Sequence, residues 1–318
     1  RMGSFHHVYA TKNVLLSPAN KDGMPQSRAT TILVLLFIAT QLTGVLTAAY
    51  AYSTGDKLSE PAGVGERPSM SGAQSIIFLL VGIAISTVAI LFLARHNTVW
   101  VWKAWFTLAT FIALYLFLSI YLNDILAATT SLILTALRTT RPTPIVHNTV
   151  EITMYAGIAL FLAPLFSVST AIVLLAIMSA YDIWAVNGTK HMVTVAEFTQ
   201  EAATFPGLNL SPQQTQAETP RGEEARVEEP SESKKAGVLG GGDILFPLLF
   251  SLTVFQAGAS VTSLAAAATY AVIITAGATL GLTSLFRLAQ DNQYYPALPF
   301  LTTGCLTALV VVRAIHTF

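Results

Sequence analysis

Between residues 29 and 52 the chain runs for 24 positions without a charge. A helix needs about 20 mostly apolar residues to cross a bilayer, so this run is long enough to span. Eight more apolar runs follow, over 74–93, 99–119, 122–137, 150–166, 167–188, 238–257, 261–285 and 294–315. They predict an all-α polytopic membrane protein with about nine transmembrane helices. The fourth run is short and starts beside the polar pair Asn123-Asp124, and the fifth and sixth almost touch. Composition agrees: 53% of residues are hydrophobic and 11% charged, against about 25% charged in soluble domains.

Lysine and arginine counts orient the bundle, because they concentrate in cytoplasmic connections. With nine spans, 14 of the 17 basic residues fall on the side of the N-terminus; only Lys57, Arg67 and Arg313 fall opposite. The expected topology is N-terminus inside and C-terminus outside, in the cell membrane, with lipid as the surrounding partner. Residues 1–27 form a tail whose start, Arg1 to His7, reads as a remnant of a histidine tag. Residues 28–188 hold helices one to six, and 238–318 hold helices seven to nine. Between them, 189–237 carries eight glutamates and Pro206, Pro212, Pro220 and Pro230. That composition predicts a polar, flexible cytoplasmic loop. At its ends, Val193, Val195 and Phe198 alternate with polar residues and Val238-Leu239 leads into Gly240; these are the expected places for an extended substrate to add a strand. Gly277 and Gly281 form a GxxxG pair suited to close helix packing.

Other classes are disfavoured. The net charge is formally zero, so no nucleic-acid partner is expected. One cysteine, Cys305, allows no intrachain disulfide and no cysteine cluster. With the histidines scattered, no metal site and no cofactor are expected. Oligomeric state is left open.

Two aspartates break the apolar pattern. Asp182 lies in the sixth run, and Asp243 follows three glycines, Gly240, Gly241 and Gly242, at the mouth of the seventh. A charge at bilayer depth is costly and marks a functional site by default. Helix rise puts both about 9 Å from the cytoplasmic ends of their segments. The ninth run starts at the same level with Pro296, Ala297, Leu298 and Pro299. Two adjacent carboxyl groups share a proton, so one serves as base and the other as acid. The base can take a proton from water while the acid protonates a peptide carbonyl. Glycines allow close backbone approach, and irregular backbone is tolerated where it lines a cavity. Tyr181, beside Asp182, is in reach of a hydrogen bond to the pair. Bland readings stand alongside: Asp243 as a helix N-cap, Asp182 as a buried acid paired with a base. A secondary transporter or an ion or proton channel is the functional alternative, since paired acids and broken helices also mark ion paths.

Tyr181-Asp182, Gly240-Gly241-Gly242-Asp243 and Pro296-Ala297-Leu298 resemble the YD, GxGD and PAL motifs of the presenilin and signal peptide peptidase family. All three occur in order, on the sixth, seventh and ninth segments, and the resemblance covers most of the chain. Its size suits a microbial, archaeal-type homologue, and the N-inside orientation matches presenilins rather than signal peptide peptidases. The resemblance implies an intramembrane aspartic endopeptidase that cleaves transmembrane segments. It implies catalytic roles for Asp182 and Asp243, and substrate-binding or site-shaping roles for Tyr181, Gly240, Gly241, Gly242, Pro296, Ala297 and Leu298. The loop lacks an apolar segment like the one presenilins cleave in themselves, which leaves self-cleavage open.

Overall fold

The computed structural model describes residues 26–55, 70–96, 98–188, 204, 206–209, 238–288 and 295–315. Among the described residues are nine α-helices. They are α1 (Gln26–Ser53), α2 (Gly72–Arg95), α3 (Val99–Leu118), α4 (Asp124–Thr140), α5 (Pro144–Leu162), α6 (Val168–Gly188), α7 (Gly241–Ala259), α8 (Leu264–Leu288) and α9 (Leu298–Ile315). All but α4, which has 17 residues, are long and apolar enough to cross a membrane.

Each expected run contains one helix, but several ends move, for local reasons. Helix α4 begins at Asp124 because the Asn123 side chain accepts a hydrogen bond from the Leu126 N–H at 3.0 Å. Helix α5 begins at Pro144, six residues before the expected start. Thr143 caps it, and a proline in the first turn gives up no helical hydrogen bond. A 3-10 turn, Ala163–Leu165, makes the tight link to α6. The seventh run does not start as a helix: Val238–Gly240 is a strand, and α7 begins at Gly241. The ninth helix begins at Leu298 rather than at residue 294, with Pro296 just ahead of it.

That strand, β2 (Val238–Gly240), pairs antiparallel with β1 (Gly207–Asn209), with Leu208 opposite Leu239. This ribbon is the non-helical element among the described residues. Strand β1 lies inside the stretch expected to be a flexible loop, yet Leu208 is fully buried. Val193, Val195 and Phe198 lie outside the described residues.

Helix α7 is the axis of the bundle. Every residue from Phe246 to Phe255 is buried, and α1, α5, α6, α8 and α9 pack around it. A helix that is apolar on all sides belongs in the centre. By contrast, only Ser75 and Ile90 of α2 are buried. Lipid is as apolar as leucine, so helices in a membrane hold together through close packing and hydrogen bonds rather than burial from water. Both devices are present. A Cβ on Gly277 or Gly304 would strike the other's carbonyl oxygen, and one on Gly281 would strike that of Phe300, so α8 and α9 touch through their backbones. The Gln41 amide of α1 donates to the Ile244 carbonyl at 3.0 Å.

Candidate active site

Asp182 and Asp243 come from helices that pack together, α6 and α7, and Asp243 lies in the electrostatic field of Asp182. Among the described residues Asp182 is not paired with a base. Its Oδ2 accepts a hydrogen bond from the Leu298 backbone N–H at 3.0 Å, and the Ala297 N–H faces the same carboxyl group. The proline-flanked start of α9 explains why those donors are free. The first turn of any helix has N–H groups without intrahelical partners, and the Ala297 carbonyl already accepts from Phe300 and Leu301. A helix N-terminus is a natural carboxylate site. One turn further on, Ser179 and Thr302 share a buried 2.7 Å hydrogen bond that ties α6 to α9.

Asp243 is the third residue of α7, not its cap: Gly240 occupies the cap position with extended backbone, φ −65° and ψ 147°. The carboxyl group folds back over Gly240, where a Cβ would lie 3.1 Å from Oδ2. Gly241 is confined from the other side. A Cβ there would strike the Tyr155 hydroxyl and lie 2.8 Å from ring atom Cζ. None of the three glycines needs a positive φ; at Gly240 and Gly241 the requirement is room. Gly242 is exposed, with only the Phe246 ring close by. Inside α7, Pro247 has no N–H for the carbonyl four residues back, which is that of Asp243.

Tyr181 turns outward. It is 45% exposed, its ring rests 6.0 Å from that of Trp184, and among the described residues it makes no hydrogen bond to either aspartate. Pro296 and Ala297 are half-buried and Leu298 is buried. No group of three potential metal-ligating side chains gathers among the described residues.

Residues 34–316 match the family model described as signal-peptide peptidase, presenilin aspartyl protease. The chain belongs to this family. Two solved structures described as a presenilin family intramembrane aspartate protease share its fold. The one in space group C222 has a TM-score of 0.61 at 20% identity, covering 90% of this chain and 99% of the other. The one in space group P2 gives 0.58 at 19% identity, covering 93% and 100%. Among curated protein sequences none matches. This presenilin-family chain is therefore an integral membrane protein and an intramembrane aspartyl protease, a peptide-bond hydrolase whose family acts on transmembrane substrates.

Around its aspartates the protease also gathers residues that the motif reading passed over. Tyr155 lies within the electrostatic field of Asp243. On the same helix, α5, the buried residues His147, Asn148 and Glu151 all contact β1. Fully buried Glu151 forms an ion pair with Arg138, which in turn lies 4.6 Å above the Phe106 ring. Arg138 thus points into the protein, although the orientation argument counted it among the connecting charges. An available signal was the polar spacing of residues 147, 148 and 151 in an apolar run; starting that run at residue 150 put most of it outside the membrane.

Proposed function

We propose that Asp182 and Asp243 are the two catalytic carboxyl groups and that they cleave transmembrane segments by activating water directly. The observation that carries this is the pair itself: two aspartates on packed helices, one in the field of the other, with backbone donors holding Asp182. One carboxylate takes a proton from water as its oxygen attacks the scissile carbonyl carbon. The other, protonated, gives its proton to the carbonyl oxygen. The tetrahedral intermediate then collapses as the departing amine collects a proton from the pair. Neither metal nor covalent intermediate is required. Pro296, Ala297 and Leu298 fix Asp182 through the start of α9, and Gly240 and Gly241 leave room at Asp243.

An extended substrate pairs with β2. Strand residues point their backbone groups alternately to the two sides. Gly207 and Asn209 turn their backbone groups to α5, so Leu208 and Leu239 bond across the ribbon and Val238 and Gly240 face outward. A Cβ on Gly240 would lie 3.1 Å from Asp243 Oδ2, so a strand added along Gly240 passes beside the acid. Helices α1 to α6 and α7 to α9 form one membrane bundle, with residues 189–237 connecting them on the cytoplasmic face of the cell membrane. The test is incubation of the purified protein with a membrane-spanning peptide, followed by mass analysis of fragments. Two discrete fragments from the parent and none from Asp243→Asn support the reading; the same fragments from both overturn it.

A further inference from the structure

The outer edge of β1 is closed, and one helix closes it. Gly207 and Asn209 point their backbone groups away from β2, toward α5. The Gly207 N–H donates to Glu151 Oε2 at 3.2 Å, and the Gly207 carbonyl accepts from His147 Nε2 at 2.8 Å. The Asn209 N–H donates to Asn148 Oδ1 at 3.0 Å, and its carbonyl accepts from Asn148 Nδ2 at 2.8 Å. All four backbone groups on that edge are thus held by side chains of α5. The Asn148 amide copies the two-bond pairing of a neighbouring strand. Gly207 itself has φ +152°, a conformation side chains disfavour, so the strand enters the clamp at a glycine. The Trp102 indole donates to Thr204 at 2.6 Å and anchors the approach to β1.

An open strand edge is a template for any other strand. A ribbon with two open edges could take a substrate on either side; among the described residues no strand covers the other edge of β2, so this one offers the side of Asp243. We propose that His147, Asn148 and Glu151, with Arg138 holding Glu151, are positioning residues for proteolysis. They fix the β1–β2 ribbon, confine substrate to the edge of β2, and thereby set which peptide bond meets the aspartates. The inference deepens the protease reading and rests on it. The clamp touches no reacting atom. Its loss therefore acts on substrate binding and on the place of the cut more than on turnover.

Two measurements on the full chain in lipid nanodiscs test this. The first is cleavage of a synthetic peptide with about 20 alternating leucine and alanine residues flanked by lysines, with mass analysis of every product. Asn148→Leu removes both bonds to Asn209 without leaving a charge, and is expected to raise KM about tenfold with a smaller change in kcat. It should also add products cut two residues away, because a strand that slips by two keeps its faces. Glu151→Gln keeps an acceptor for Gly207 but leaves the buried Arg138 guanidinium without its counter-charge, so it should loosen the ribbon and raise KM in the same direction. An Asn148→Leu enzyme with the parent's KM and the parent's single cut overturns the proposal. If the parent itself leaves the peptide whole, the protease reading is what that arm counts against. The second measurement needs no activity: amide hydrogen exchange in the Asp243→Asn protein. The amides of Gly207 and Asn209 should be protected, and Asn148→Leu should speed their exchange, and that of 238–240, while leaving α8 unchanged. Open-chain exchange at Gly207 and Asn209 in the Asp243→Asn protein, or no acceleration in the variant, overturns the clamp whatever happens to cleavage.

Discussion

Asp182 and Asp243 have different surroundings, and the difference is chemical. Asp182 rests on backbone donors from another helix, whereas Asp243 sits in the first turn of its own helix with its carboxyl group folded back over Gly240. Asparagine at either place keeps shape and hydrogen bonding but cannot relay a proton. Each of Asp182→Asn and Asp243→Asn should lower the cleavage rate by at least about 100-fold while thermal unfolding stays near that of the parent. Gly241 gives a second expectation. Alanine there overlaps the buried Tyr155 ring, so Gly241→Ala should destabilise by about 1–3 kcal/mol, and adding Tyr155→Phe, which removes the closest atom, should restore part of it; thermal unfolding of the three variants measures both. Both aspartates and the glycine triplet stood out in the sequence because charge and glycine are anomalies in apolar runs. Tyr155 did not, because a tyrosine in a membrane helix is ordinary until its neighbour is known to be a glycine 86 residues away.

The elements were legible where apolarity alone defines them. Helix α3 starts where the apolar run does, and α6 starts one residue from its expected position. Legibility failed where long-range partners decide. Strand β1 is three residues of Gly-Leu-Asn, too short and polar to announce itself, and it holds because side chains about 60 residues earlier satisfy its edge. Residues 238–240 fall in a helical run by apolarity, because valine and leucine serve either element, although Val238-Leu239 also reads as a place for strand addition. Register now separates two substitutions. The Leu239 N–H faces β1 and the Val238 N–H faces the edge that no described strand covers, so Val238→Pro should leave the ribbon intact and raise KM, since proline is tolerated on a strand edge. Leu239→Pro should unpair the ribbon and reduce both kcat and the exchange protection of β1. Equal kinetics for Val238→Pro and the parent would show that substrate does not bond to that N–H. At the α8–α9 seam, Gly281→Val must push Phe300 away. Because Leu298 is on the same turn, the loss should appear as both a lower unfolding temperature and weaker cleavage.

At the scale of the whole molecule, the parity of the crossings decides where the ends lie. Helix α4 is the element on which parity turns. Its ends carry Asp124 and Arg138, about 21 Å apart along the axis at 1.5 Å per residue. That is short of the roughly 30 Å hydrocarbon core, a mismatch a membrane can meet by local thinning. If α4 crosses, nine spans put the termini on opposite faces and keep most basic residues on one side. If it does not, eight spans put both termini on the same face and α5 to α9 reverse relative to α1 to α3. The single, buried cysteine makes the distinction clean. Cys305→Ala gives a thiol-free parent in which one cysteine is introduced before α1, or one in the 56–69 connection, or one in the loop between β1 and β2. In intact cells, a membrane-impermeant maleimide should label only the cysteine at 56–69, and lysis should open the other two. Labelling of the β1–β2 loop in intact cells, with the N-terminal site still protected, would reverse α7 and mean that α4 does not cross.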